Sequence, residues 1–193
     1  VYLNINSHQP WEGIVAWYEA HLCSEEGLNI VGGLFPGAPC ILHGCNEYLG
    51  WAHTVNNPDK SDVYQLEMNP ENDLQYRFDN QWLTLEERSI RLKVKIKGIP
   101  VSVRKKAWWS VYGPTFKNKK GMFSIRSSGL FDIRALEEWY RMNKARNFSE
   151  FYQALKMEAI PGFNVVYADR YDTIFYLSNG KLPIRTPGYD WRH

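Results

Sequence analysis

The chain has 193 residues, 44% of them hydrophobic and 23% charged, which is ordinary for a globular protein and long enough for one sizeable core. Its net charge of +2 excludes strong electrostatic steering towards nucleic acid. No apolar run is long enough to span a bilayer, and no charged, apolar and small-residue order resembling a signal peptide opens the chain.

Taken in chain order, the first half reads as strands and turns. Val1–Asn6 alternates as if the chain opened in mid-strand. Val15–Leu22 and Leu28–Gly33 are rich enough in aromatic and β-branched residues for strands. Phe35-Pro36-Gly37-Ala38-Pro39 is a turn before a strand at Cys40–Cys45, and Asn46–Gly50 turns into Trp51–Val55. Short strands follow at Asp62–Met68 and Leu74–Phe78, with Asp79-Asn80 as a hairpin turn. In Ser89–Ile96, Ile90, Leu92, Val94 and Ile96 alternate with Arg91, Lys93 and Lys95, which predicts a half-buried strand with a basic outer face. Gly98-Ile99-Pro100 returns it into Val101–Lys105.

Helices come late. Asp132 is placed to cap a helix running to about Lys144 with Leu136, Trp139, Tyr140 and Asn143 on its inner face, and Ser149 to cap a second with Phe151, Ala154 and Leu155 inward. Pro161-Gly162 ends it, and Asn164–Ala168 with Thr173–Leu177 form a last hairpin. The pattern is α+β: a β-rich front, a hairpin region around 74–116, and helices around 133–157. The closing stretch Pro187–His193 stops without a helix or strand. Both ends look cut, so residues 1–193 are expected to be a single domain fragment of a longer polypeptide. Uncovered sheet edges in such a fragment would favour self-association into a homo-oligomer.

Singly, the reactive side chains have bland readings. His8 follows the first strand and precedes Pro10-Trp11, where a structural histidine is as natural as one emerging into a cleft. His43 and His53 fall on neighbouring strands, but no third ligand stands at metal spacing. Asp59 and Asp62, flanking Lys60-Ser61, suit either calcium or a capped polar turn after Asn57-Pro58. Cys23, Cys40 and Cys45 leave at least one thiol unpaired; a Cys40–Cys45 bridge is conceivable, and free buried thiols fit the pattern better. There is no G-x-S-x-G elbow and no Gly-rich phosphate cradle. The basic hairpin with Lys93, Lys95 and Arg104, set against the aromatic surplus, also fits a non-enzymatic β-rich binding module.

In order along the chain, several segments resemble one family. They are Asn6-Ser7-His8, Ala16-Trp17-Tyr18-Glu19-Ala20-His21-Leu22, Gly33-x-x-Phe35-Pro36-Gly37-x-Pro39, Gly44-Cys45-Asn46-Glu47 with Gly50-Trp51-Ala52, Asn164 to Asp169, and Gly180 to Arg185. The chain is similar to the β chain of penicillin acylases, the S45 peptidase family of N-terminal-nucleophile (Ntn) hydrolases, on the homoserine-lactone-acylase-like side. The resemblance implies an αββα four-layer sandwich matured by autoproteolysis into α and β chains, in a periplasmic or secreted bacterial enzyme. It implies cleavage of a small-molecule N-acyl amide by an N-terminal Ser, with the α-amino group as base and no cofactor in catalysis. An α-amine with a pKa near 8 suits that role.

By the same resemblance, His8 helps position the nucleophile and the Val55 backbone N–H contributes to the oxyanion hole. Gln9, His43 and His53 line the acyl pocket. Asp59, Ser61 and Asp62 match a loop that holds structural calcium in several members. The nucleophilic Ser is expected before Val1, and a second oxyanion donor, an Asn, beyond His193. The partners implied are the α chain and the rest of the β chain, with no nucleic acid and no membrane span. A degenerate homologue that keeps only the fold would show the same segments.

Overall fold

The computed structural model describes residues 2–6 and 8–191. The elements run β1 (Tyr18–Ser24), β2 (Leu28–Leu34), β3 (His43–Cys45), β4 (Leu49–Thr54), β5 (Ser61–Leu66), β6 (Met68–Asn69), β7 (Asn72–Phe78) and β8 (Gln81–Thr84). They continue with β9 (Glu86–Ile96), β10 (Ile99–Trp109), β11 (Pro114–Asn118), β12 (Gly121–Ser127), α1 (Ala135–Lys144), α2 (Phe148–Leu155), β13 (Gly162–Asp169) and β14 (Ile174–Gly180). Two compact units are formed, Val1–Lys60 with Phe131–Pro183, and Ser61–Leu130 with Ile184–His193.

The first unit is a six-stranded antiparallel sheet in the order β1-β2-β3-β4-β13-β14, packed against both helices. Its core joins Ile30, Trp51, Val165 and Tyr167 of the sheet to Met142 and Phe151 of the helices, each at most 1% exposed. Large side chains of this kind contribute about 1.5–3 kcal/mol each on burial. Polar fastenings orient the helices. The Asn143 amide donates to Ile41 O (2.7 Å) and Trp139 O (2.7 Å), and its oxygen accepts from Ile41 N (2.9 Å). Asn46 donates to Ala145 O at the end of α1 (2.8 Å), while its oxygen accepts from Tyr48 N and Leu49 N.

The helix starts differ from the sequence expectation. Asp132 does not cap α1; its carboxylate is taken by Arg134, through the backbone N–H (3.1 Å) and the guanidinium (2.7 Å). Helix α2 is capped by Asn147, whose side chain accepts from Glu150 N (3.0 Å), rather than by Ser149. On α1 the buried residues are Glu138, Met142 and Asn143, whereas Leu136 and Tyr140 are exposed. Of the face expected from spacing, Asn143 and Trp139 do turn inward, while Leu136 and Tyr140 give way to Glu138 and Met142.

The second unit has a five-stranded sheet in the order β5-β12-β11-β10-β9 and a three-stranded one, β6-β7-β8. Two-residue turns with positive φ, Asp79-Asn80 and Lys97-Gly98, close the β7–β8 and β9–β10 hairpins. The prediction of a half-buried strand fails at β9: every residue is exposed, including Ile90 (45%) and Ile96 (55%). Tyr76, Leu66, Leu85 and Met122 form this unit's own core. Residues 2–6 form no strand, β1 begins three residues later than expected, and the Cys40–Cys45 segment becomes a strand only from His43. All three cysteines are free, and burial pushes the Cys40 thiol up to about 11.

Candidate active site

Glycines bring the site strands together. Gly32 and Gly44 face each other across β2 and β3, where a Cβ on Gly32 would collide with the His43 carbonyl. At Gly33 a Cβ would lie 2.9 Å from His43 Nε2 and 3.1 Å from the Trp17 ring, so the missing side chain is the room that the imidazole occupies. His43 then rests on Trp17 with ring centres 3.9 Å apart, and Trp17 stacks on Phe35 at 4.6 Å.

Beside His43, strand β4 carries His53, which is 7% exposed. The Trp139 ring of α1 meets it edge-on at 5.9 Å, and Phe163 of β13 lies at 5.7 Å. A cavity of about 40 Å³ is lined by Gln9, His43, His53 and Val55 together with Trp17, Phe35, Leu42, Trp139 and Phe163. Outside it lies a cleft of about 470 Å³ lined by residues of the 5–11 segment, including His8 and Gln9, and by Trp17 and His43. His8 is exposed, in the left-handed region at φ 51°, and its N–H donates to Asn6 Oδ1 (3.1 Å). Ser7 of the Asn6-Ser7-His8 segment lies outside the described residues, as do Val1, Arg192 and His193.

Val55 follows Thr54, the last β4 residue paired with β13 through Asn164. The backbone leaves the ladder there, which directs its amide out of regular sheet pairing. The electrostatics of the cavity are set by desolvation. Burial lowers the His53 pKa to about 4, helped by the charge of His43, and burial also lowers that of His43. Around neutral pH the cavity therefore presents neutral imidazoles in an aromatic wall, suited to an uncharged group that combines a flat apolar face with a polar atom.

Of the three residues matched to a calcium loop, Asp62 carries another partner. Asp59 is exposed, and Ser61 Oγ shares a hydrogen bond with Ser127 Oγ (2.7 Å). Asp62 is buried, and its Oδ1 accepts from Arg185 Nε (3.0 Å) and Nη2 (2.8 Å), with the two side chains 7% and 22% exposed. Calcium needs six to eight oxygens, and among the described residues no group of three or more His, Cys, Asp or Glu could hold a metal ion. The fit to calcium is poor, and a cation already lies on Asp62.

Of the residues named through the resemblance, the structure brings Gln9, His43, His53 and Val55 to one cavity, and places His8 in a cleft that shares Gln9, Trp17 and His43 with it. Sequence reading missed Trp139 and Phe163 as wall residues. The spacing places Trp139 on a helix face and gives no role to Phe163, which lies between the Pro161-Gly162 turn and the strand expected from Asn164. The pairing of β13 with β4, which places Phe163 beside His53, is a contact between residues 110 apart that periodicity does not reveal.

An antiparallel sheet packed against two helices, with an aromatic cavity among residues at its strand ends, defines an α+β protein. The chain belongs to the penicillin amidase family, whose profile matches residues 2–192. It is 29% identical over 187 residues to acyl-homoserine lactone acylase PvdQ of Pseudomonas fluorescens, covering 92% of this chain and 24% of that protein. With aculeacin-A acylase of Actinoplanes utahensis the identity is 25% over 186 residues, covering 92% and 23%. Among solved structures, the thermostable penicillin G acylase of Alcaligenes faecalis superposes with a TM-score of 0.77 at 30% identity, covering 92% of this chain and 32% of that one. The chain thus spans about a quarter of the length of the curated relatives it matches.

Proposed function

We propose that this chain is part of an N-acyl amide hydrolase acting on linear amides, and that it carries the acyl-binding cavity and one half of the oxyanion hole. The observation that carries the reading is the convergence of Gln9, His43, His53 and Val55 on one aromatic cavity, at the foot of the cleft that His8 lines. In this reading the protein is a bacterial periplasmic or secreted enzyme, matured from a precursor into α and β chains with the αββα Ntn-hydrolase sandwich. Relatives named as acylases support it.

The chemistry assigns each group one task. A Ser hydroxyl from outside this chain attacks the amide carbonyl, and its own α-amine takes the proton. The Val55 N–H donates to the oxygen that becomes negative in the tetrahedral intermediate. Collapse breaks the C–N bond, the amine leaves with the proton, and water then releases the acyl group from the Ser ester. His8 orients the nucleophile, and the neutral imidazoles of His43 and His53 hold the acyl group without attracting its free carboxylate product. For Asp62 we propose an internal counter-ion, Arg185, in place of calcium.

The test uses the full-length processed protein and chromogenic acyl 4-nitroanilides. Val55→Pro removes the N–H while Val55→Ala keeps it, so kcat is expected to fall about 10²–10³-fold in the first and little in the second. Equal losses in both variants would remove Val55 from the oxyanion hole, and an inactive wild-type protein would remove the enzymatic reading.

A further inference from the structure

The segment between α2 and β13, residues 158–163, is held in an unfavourable backbone path. Glu158 has φ 51°, and Phe163, a bulky residue, has φ 123°. Conformations of this kind are unfavourable for residues with a side chain and persist only where surrounding groups over-determine them.

Those groups are visible on almost every residue. Glu138, fully buried on α1, accepts from Ala159 N (2.7 Å) and Ile160 N (3.0 Å) through one carboxylate oxygen. The Asn179 side chain donates to Ile160 O (3.0 Å), and Lys181 N donates to Pro161 O (3.0 Å). Asn56 Oδ1 accepts from Phe163 N (2.9 Å), and the same side chain donates to Asn179 O (2.7 Å). At Gly162 a Cβ would come within 3.2 Å of Asn56 Oδ1 and 2.9 Å of Lys60 Nζ, so a side chain there would press on the clamp.

Both ends of this clamp reach the cavity. Phe163 is a wall residue, and Glu138 directly precedes Trp139, the wall residue facing it with ring centres 6.5 Å apart. An ordinary backbone conformation at Phe163 would rotate its ring out of its place beside His53. Burying a carboxylate costs free energy even where two backbone N–H groups partner one oxygen, and here the second oxygen, Oε1, is buried with no hydrogen-bond partner.

We propose that Glu138, Asn56 and Asn179 are positioning residues which hold Phe163 against its backbone preference, and thereby set the size of acyl group that the cavity admits. The inference rests on the acyl-amide hydrolase reading. None of the three needs to touch the substrate; they act through the Phe163 ring.

The experiment compares kcat and KM of the full-length protein for acetyl and phenylacetyl 4-nitroanilides. Asn56→Ala and Glu138→Leu are expected to change the ratio of kcat/KM between the two acyl groups by about tenfold, the scale on which apolar pockets discriminate. The change should enter through KM for the larger group, with kcat for the acetyl group within about twofold. Glu138→Gln, which keeps an acceptor oxygen, is expected to restore the wild-type ratio. An unchanged ratio, or an equal loss of kcat for both groups, overturns the proposal. If Glu138→Leu does not fold, Asn56→Ala and Asn179→Ala decide it. If the wild-type protein hydrolyses neither anilide, the functional reading fails by itself. Hydrogen exchange then decides the clamp: faster exchange at Ala159, Ile160 and Phe163 than at Ala52 in the variants supports it, and unchanged exchange overturns it.

Discussion

His53 and Glu138 are two buried ionisable groups in one unit whose titrations pull stability in opposite directions. His53 has its pKa lowered from 6.5 to about 4 by burial, with the charge of His43 adding to the effect. The unfolded chain therefore binds a proton between those values that the folded one refuses, and stability is lost as pH falls through that window. A shift of this size corresponds to about 3 kcal/mol. Glu138 has its pKa raised from 4.5 to about 7, by burial first and by Asp132 further, against the lowering effect of its two backbone hydrogen bonds and of Arg134. Here the folded chain holds the extra proton, so this contribution is lost as pH rises from about 4.5 to 7. The wild-type urea midpoint should consequently vary less between pH 4.5 and 6.5 than that of a variant lacking Glu138, His43 adding to the His53 side of the balance. Glu138→Gln should expose a midpoint that rises with pH, and His53→Asn one that falls. Parallel profiles in the two variants would show that one of these side chains is not desolvated as described.

Among the elements, α2 shows how local chemistry and periodicity divide the work. Its inward face of Phe151, Ala154 and Leu155 follows from spacing, and all three are buried. Its start is decided by Asn147, whose oxygen accepts from Glu150 N, while Glu150 Oε2 accepts from Arg146 N (2.8 Å). Asn147→Ala is expected to destabilise by about 1 kcal/mol, whereas Ser149→Ala should change little. Urea unfolding of the two variants distinguishes them, and a larger loss at Ser149 would move the cap back to the residue that sequence favours. Strand β9 is the converse case. Its strict alternation reads correctly as a strand, yet Ile90, Leu92, Val94 and Ile96 are all more than 40% exposed, because alternation marks an apolar face without supplying its cover.

For the molecule as a whole, the question of calcium becomes one of charge balance. Asp62 has the guanidinium of Arg185 on one oxygen, and that guanidinium lies 6.0 Å from the Trp191 ring centre. Removing one partner from such a sheltered pair costs about 3 kcal/mol. Chelation with EGTA is therefore expected to leave the melting temperature of the full-length protein unchanged, while Arg185→Ala lowers it. A melting temperature that drops on chelation would restore the metal to Asp62. No helix among the described residues is long and apolar enough to cross a membrane.

The sequence by itself determined the α+β class, the positions of most strands, the inward face of α2 and the family. These rest on short-range signals: alternation, turn residues such as Asp79-Asn80, and ordered motifs that include Gly33 and Asn46. It also named Gln9, His43, His53 and Val55, though only through resemblance, since no spacing joins residue 9 to residue 53. Tertiary structure decided what those residues face. Pairing of β13 with β4 set Phe163 beside His53, docking of α1 through Asn143 brought Trp139 to the cavity, and Arg185 reached back 123 residues to Asp62. Such contacts depend on how separate faces meet in three dimensions, and desolvation follows from that meeting. The buried carboxylate of Glu138 is the plainest instance: on a helix wheel it interrupts an apolar face, and only the folded chain supplies the two N–H groups that hold it there.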